Sequence, residues 1–180
     1  MNFDQRISRN IFETTKRSKI FSRLAVFGAA EFIWILIGFG LGLFWFGAQS
    51  VDPGHVPAEW FIMAIVIAVP WAVTLVIEFI VKRQRPFDAE TYQPLIHMMW
   101  KTPCFPSGHA TISFALLAFV VSMDIPQLIL WFAIGAAAIA ISRIAVGVHY
   151  LSDVIVGSLI GYFGGLATLT ALQMLILASK

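Results

Sequence analysis

Five long apolar runs constrain this chain more than any other feature. They fall at about 24–46, 60–81, 107–123, 126–146 and 153–178. Each is close to the roughly 20 residues an α-helix needs to cross the hydrocarbon core of a bilayer. In that core every backbone N–H and C=O must be satisfied within the segment, so runs of this length dictate helices. Of the 180 residues, 59% are hydrophobic and 12% charged, too little polar surface to cover a soluble core of this size. The expected fold is all-α: a polytopic transmembrane helix bundle with five spanning helices. One membrane-embedded domain is expected over 1–180, with the bundle at 24–180. The first apolar run is too long for the core of a cleaved signal peptide. With Cys104 as the single cysteine, no intrachain disulfide is possible.

Residues 1–23 read as an amphipathic surface helix. Phe3, Ile7 and Ile11 recur at helical spacing among six basic residues, Arg6, Arg9, Lys16, Arg17, Lys19 and Arg23. Asp52, Pro53 and Gly54 mark the first loop, and Asp124 to Pro126 a tight turn. The connection 82–106 holds Pro86, Pro94, Pro103 and Pro106, so it cannot be one helix; a short helix is expected around 91–100. Gly157, Gly161 and Gly165 in the fifth run, with Ala136 and Ala140 in the fourth, form small-residue faces suited to close helix packing. The basic residues of the N-terminus and of 82–101 lie on one side of the alternating runs, and the loops at 47–59 and 124–125 have none. The positive-inside rule puts that side in the cytoplasm.

Polar residues are costly in such a chain, so their clustering carries information. Lys82 to Pro86 closes the second run, Pro106 to His109 opens the third, and Ser142, Arg143, His149 and Asp153 lie between the fourth and fifth. Alternating helices bring all three clusters to one face. Arg85 and Arg143 offer planar forks for phosphate oxygens. Ser107 stands where a helix begins, able to cap it beside free N–H groups that form an anion site. Gly108 permits close backbone approach. His149 and Asp153, four apart, would share a helix face, the carboxylate holding one imidazole nitrogen as N–H and freeing the other to attack. His109 is a second imidazole, able to protonate a leaving oxygen. Together they make a phosphoryl-transfer site that calls for no metal or other cofactor, and nothing in the chain calls for a nucleic-acid partner.

Pro106-Ser107-Gly108-His109 and the run from Ser142-Arg143 through His149 to Asp153 resemble the second and third signature motifs of the type 2 phosphatidic acid phosphatase family. The resemblance implies a membrane lipid phosphatase. His149 would attack phosphorus and form a phosphohistidine, and Asp153 would orient it. His109 would protonate the leaving group and then activate water. Arg85, Ser107, Gly108 and Arg143 would hold the phosphate oxygens. The first motif departs: where the family has a lysine seven residues before Arg-Pro, this chain has Glu78. Lys82, within i, i+4 reach of Glu78 on a helix, or Lys101 would replace the missing cation. Alternatively, Glu78 contacts a hydroxyl or amine of the headgroup.

The substrate class expected is a lipid phosphate or diphosphate whose tail stays in the bilayer: a polyprenyl diphosphate, phosphatidate or phosphatidylglycerol phosphate. A soluble phosphate ester and a non-catalytic lipid-phosphate binder are the competing readings. Arg83 is expected as a headgroup-level anchor, Cys104 as a spectator thiol, and His55 and His97 as loop histidines. Glu31, inside the first run, is either a site candidate or an acid reaching the interface.

Overall fold

A computed structural model of the protein describes residues 1–49, 56–97 and 102–179, without the side chains of 43–49 and 56–59. The expected loop at Asp52 to Gly54, His55, Trp100 and Lys101 lie outside the described residues. Those described are helical or irregular. The helices are α1 (Phe3–Lys16), α2 (Lys19–Ala30), α3 (Phe32–Gln49), α4 (Val56–Val81), α5 (Pro86–Ala89), α6 (Gly108–Val121), α7 (Pro126–Ala145) and α8 (Leu151–Ala178).

Among the described residues, three helices are long and apolar enough to cross a membrane, or four if the bent pair α2 and α3 makes one span. The expected fifth span corresponds to a shorter apolar helix. The first apolar run breaks at Glu31, and its halves meet at 51°. The third run yields only the 14 residues of α6, about 21 Å of helix at 1.5 Å per residue. Helix α6 can be short because α4, α7 and α8 surround it; its buried side includes Leu116, Phe119 and Val120. The core runs from these to Phe132 and Ile139 of α7, Ile33 and Leu36 of α3, and Val66 of α4. Outward, Trp34, Phe61, Phe79, Trp131, Phe163 and Leu175 are exposed. Large apolar side chains on the outside of an apolar bundle mark an integral membrane protein, for which lipid completes the solvation.

The closest helix pair is α6 with α8. A Cβ at Gly157 would come within 2.6 Å of the Ser107 carbonyl oxygen, and one at Gly161 would strike the Thr111 carbonyl. The seam thus depends on bare backbone and pins the start of α6 against α8. Beside it, Thr74 of α4 and Thr111 of α6 share a buried hydrogen bond of 2.9 Å.

Two local expectations change. The stretch 91–97 is irregular, and the short helix α5 lies earlier, after Pro86 at its first turn. Pro94 removes an N–H and clashes with a preceding turn, so 91–97 does not continue it. Helix α1 forms, but the side it buries is Ser8 and Phe12, and Phe3 is exposed. Phe12 stacks on Tyr92 at 4.6 Å between ring centroids. Asp4, Ser8 and Phe12 face the protein together with Ile11, which packs against two core clusters, so the protein-facing side overlaps the apolar stripe read from the sequence only at its end.

Candidate active site

The three polar clusters do meet at one end of the bundle. Helix α7 ends in a turn at 146–150 before α8 begins, and Gly147 makes it possible: its φ is +83°, and a Cβ there would press on the Phe12 and Tyr92 rings at 2.8–2.9 Å. The turn is tied down by Leu95 N–H to the Val146 carbonyl at 3.0 Å and by the Tyr92 hydroxyl to the Gly147 carbonyl at 3.0 Å.

His149 projects from this turn and is buried. Its Nδ1 lies 2.8 Å from the Cys104 carbonyl oxygen. A carbonyl only accepts, so Nδ1 carries the proton, and in the neutral ring Nε2 keeps its lone pair. Nε2 faces Arg85 Nη1 at 3.4 Å. Burial, with the charges of Arg143 and Arg85, pushes the His149 pKa down to about 4, although Asp153 pulls the other way. At neutral pH the ring is uncharged.

The expected helical pairing of His149 with Asp153 takes a different form. His149 precedes α8, and its Nδ1 stands 3.6 Å from Asp153 Oδ2, beyond hydrogen-bond range. The carboxylate instead accepts Tyr150 N–H on Oδ2 at 2.8 Å and Arg83 Nη1–H on Oδ1 at 2.6 Å. Cys104 contributes its backbone. Its buried thiol donates to the Gln84 carbonyl at 3.1 Å, and burial pushes its pKa up.

Arg85 is buried and anchored on acceptors from two loops. Nε donates to the Thr102 carbonyl at 2.9 Å, Nη1 to the Val148 carbonyl at 3.1 Å, and Nη2 to Thr102 Oγ1 at 2.9 Å and the Pro103 carbonyl at 3.2 Å. Arg143 is also buried; Nη1 donates to the Ala29 carbonyl at 2.8 Å. Ala29 sits one residue before the α2 end, so the break at Glu31 places this carbonyl near a helix terminus, where oxygens lack intrahelical donors. Glu31 itself is exposed at the bend. Neither arginine has a carboxylate within ion-pair distance among the described residues.

Two buried polar atoms here have no hydrogen-bond partner, Arg143 Nε and Ser107 Oγ. Ser107 occupies the N-cap position of α6, but its hydroxyl does not cap the helix, contrary to expectation. Its N–H donates to the Asp153 carbonyl at 3.0 Å, which locks α6 to α8 and leaves the hydroxyl free. A Cβ at Gly108 would meet only the Trp71 indole, at 3.6 Å, an ordinary packing contact. His109 follows on the first turn, where the charges of Arg143 and Arg85 reach it.

Lys82 is not brought to the site. It lies past the end of α4 with φ 47°, the left-handed conformation that terminates helices, so it makes no helical pair with Glu78. Its ammonium sits 5.3 Å from the centroid of the exposed Phe79 ring. Glu78 is half-buried, within reach of the Arg85 charge. The neighbouring Arg83, expected at the lipid headgroups, turns inward to Asp153, Ser152 and Asp4. Sequence reading missed Arg83, Asp4 and Thr102; a basic doublet before Arg85 was the only signal for the first.

Residues 59–176 match the sequence model of the PAP2 superfamily. A stretch of 109 residues is 34% identical to proteins of Mycobacterium tuberculosis strains CDC 1551 / Oshkosh and H37Rv, both named decaprenylphosphoryl-5-phosphoribose phosphatase. That match covers 57% of this chain and 55% of each relative, so it spans about half the length of these curated proteins. In structure, the chain resembles LpxE of Aquifex aeolicus, with a TM-score of 0.72 at 21% identity over 94% of this chain and 96% of that one. It also resembles a transmembrane PAP2-type phosphatidylglycerolphosphate phosphatase of Bacillus subtilis, with a TM-score of 0.70 at 19% identity over 95% of this chain and 85% of that one. At these identities the two structures speak for a shared fold.

Proposed function

Since the chain belongs to the PAP2 superfamily, we propose that it is a phosphatase that hydrolyses a lipid phosphate monoester through a histidine nucleophile. One observation carries the reading. Two buried guanidiniums without carboxylate partners among the described residues, with an unpaired N–H on Arg143 and an unpaired hydroxyl on Ser107, lie near a histidine whose unprotonated nitrogen is Nε2. Buried charge without a counter-charge is costly, and an oxyanion ligand relieves it. A dianionic phosphate accepts from Arg143 Nε, Ser107 Oγ, Arg85 Nη1 and the first N–H groups of α6, where the helix dipole also favours it.

In the first step the Nε2 lone pair of His149 forms an N–P bond while the bond from phosphorus to the lipid oxygen breaks. His109 gives its proton to that oxygen, which leaves as an alcohol. The phosphohistidine is positively charged on its ring, with Nδ1–H still on the Cys104 carbonyl and the Asp153 carboxylate nearby to balance the charge. In the second step His109 takes a proton from water, the hydroxide attacks phosphorus, the N–P bond breaks and phosphate departs. This calls on no resident cofactor.

Glu78 narrows the substrate. A carboxylate beside the phosphate site repels the additional charge of a diphosphate and accepts from hydroxyl groups. This supports a lipid whose phosphate is carried on a hydroxylated headgroup, as the name of the mycobacterial relatives also does. The site end is the end on which α1 docks, and the six basic residues of 1–23 support a cytoplasmic face for it. The test is phosphate release in detergent micelles from a prenyl-linked sugar phosphate, phosphatidylglycerol phosphate, phosphatidate, a polyprenyl diphosphate and a soluble ester, with Glu78→Lys alongside. The expected result is preference for the hydroxylated lipid monoesters, shifted toward the diphosphate by Glu78→Lys. Preference for the soluble ester, or no turnover by folded protein, would count against the lipid phosphatase.

A further inference from the structure

The N-terminal helix makes bonds that a helix merely resting on a bilayer has no need of. Asp4 accepts Ser152 N–H on Oδ1 at 2.9 Å, and on Oδ2 the Ser152 hydroxyl at 2.6 Å and Arg83 Nη2 at 2.8 Å. Ser8 Oγ accepts Leu151 N–H at 2.9 Å. Leu151 and Ser152 are the first two residues of α8, whose N–H groups have no partner within their own helix. Side chains from the other end of the chain thus complete the start of α8. Arg83 links this clasp to the site: Nη1 also bonds Ser152 Oγ at 2.7 Å and Asp153 Oδ1 at 2.6 Å, and its guanidinium lies 4.2 Å from the centroid of the Tyr150 ring. Asp153, fully buried, holds Tyr150 N–H on its other oxygen. His149 is the next residue back.

We propose that Asp4 and Arg83 are positioning residues for the nucleophile, α1 acting as a clasp that sets the height and tilt of the turn carrying His149. The proposal rests on the reading of His149 as the attacking group. Arg83 fixes the rotation of the Asp153 carboxylate, and Asp4 fixes Arg83. Without Asp4, Arg83 loses one of its two carboxylates and α8 loses the acceptor for its second N–H. The turn then gains freedom at the atom that must stand in line with phosphorus. An in-line attack tolerates little of this, since a displacement of about 1 Å costs up to about 100-fold in rate.

The experiment uses the full chain in detergent micelles and compares the parent with Asp4→Asn, Asp4→Ala, Arg83→Gln and the Asp4→Ala/Arg83→Gln pair. Arg6→Ala, on the exposed side of α1, controls for lost basic charge, and His149→Ala for the chemistry. The expected result is a kcat lowered about 10- to 100-fold by Asp4→Ala and by Arg83→Gln, with KM within about twofold. The double variant should lose clearly less than the product of the two single losses, because Asp4 acts in part through Arg83 and in part directly on the start of α8. Asp4→Asn keeps an acceptor for the Ser152 N–H but puts an NH2 where Oδ2 accepts from the Ser152 hydroxyl and Arg83 Nη2, and it serves if Asp4→Ala fails to fold. Unchanged kcat, a loss confined to KM, or independent losses that multiply in the double variant would overturn the proposal. Imidazole 15N NMR of His149 reads the same question without turnover. Resonances that move in the Asp4 variants and hold in Arg6→Ala support the clasp, and unmoved resonances overturn it. A parent that releases no phosphate, or a His149→Ala variant that does, would instead sink the nucleophile reading and leave the NMR result to decide the clasp.

Discussion

The seam between α6 and α8 and the loops above it are assembled by opposite means. In the seam, Gly157, Gly161 and Gly165 remove side chains so that backbone meets backbone. Its cohesion is van der Waals contact, which tolerates no added atom. At the loop end, long polar side chains reach across the fold to main-chain oxygens. Arg85 spans Thr102, Pro103 and Val148, Arg143 reaches Ala29, and His149 reaches Cys104. The two regions touch where Ser107 N–H meets the Asp153 carbonyl and the Ser107 carbonyl faces Gly157. A closely packed backbone seam thus carries a charged site that its own helices do not satisfy.

Changes at either region test this division. His149→Ala takes away the proposed nucleophile and leaves the seam untouched. Phosphate release should fall on the order of 1,000-fold or more with an unaltered thermal midpoint in detergent; a variant that lost stability instead would make His149 a structural residue. Gly161→Val should do the reverse. Its methyl groups meet the Thr111 carbonyl, so the helices must part at a cost of about 1–3 kcal/mol. The thermal midpoint should drop, and activity should fall as the start of α6 shifts. Full stability in this variant would break the account of the seam.

The pH profile sharpens the electrostatic side. His149 attacks only when neutral, and burial beside two arginines holds its pKa at about 4 against the ordinary 6.5. The acid limb of kcat/KM is therefore displaced downward. At pH 5.5 the histidine remains mostly neutral, whereas an unperturbed one would be about 90% protonated. A limb centred near 6.5 would mean that His149 is solvated. The smallest effect is expected from Lys82→Ala: with its ammonium over the exposed Phe79 ring, kcat/KM should stay within about twofold. A loss well beyond that would return Lys82 to the phosphate.

Much of the site was legible in the sequence because its residue types are costly in a membrane protein. Arg85, Ser107, His109, Arg143, His149 and Asp153 stood out from apolar surroundings by type and spacing, and the structure gathers them at one end. Legibility failed where the partner was a main-chain atom or a distant turn. Nothing in the identity of Cys104 or Ala29 announces that its carbonyl will hold a catalytic candidate. Arg83 and Lys82 are adjacent cations, and only the end of α4 decides that one turns in and the other out. The stripe Phe3, Ile7, Ile11 promised an apolar underside for α1; Ile11 does pack on the core, but Phe3 is exposed, and Asp4, Ser8 and Phe12 face the protein because the start of α8 and the Tyr92 ring offer them specific partners.

By itself the sequence determined the all-helical membrane class, the small-residue seam and the polar groups that must share one face. Each follows from local chemistry: apolar length, the absence of a side chain, and the cost of charge in lipid. Tertiary structure alone decided that α6 stops at 14 residues, that the first run bends at Glu31, that His149 bonds the Cys104 carbonyl through Nδ1, and that Asp4 and Ser8 meet the first N–H groups of α8. These depend on which backbone groups are left unpaired once the helices are packed, and those partners lie too far along the chain for local pattern to record.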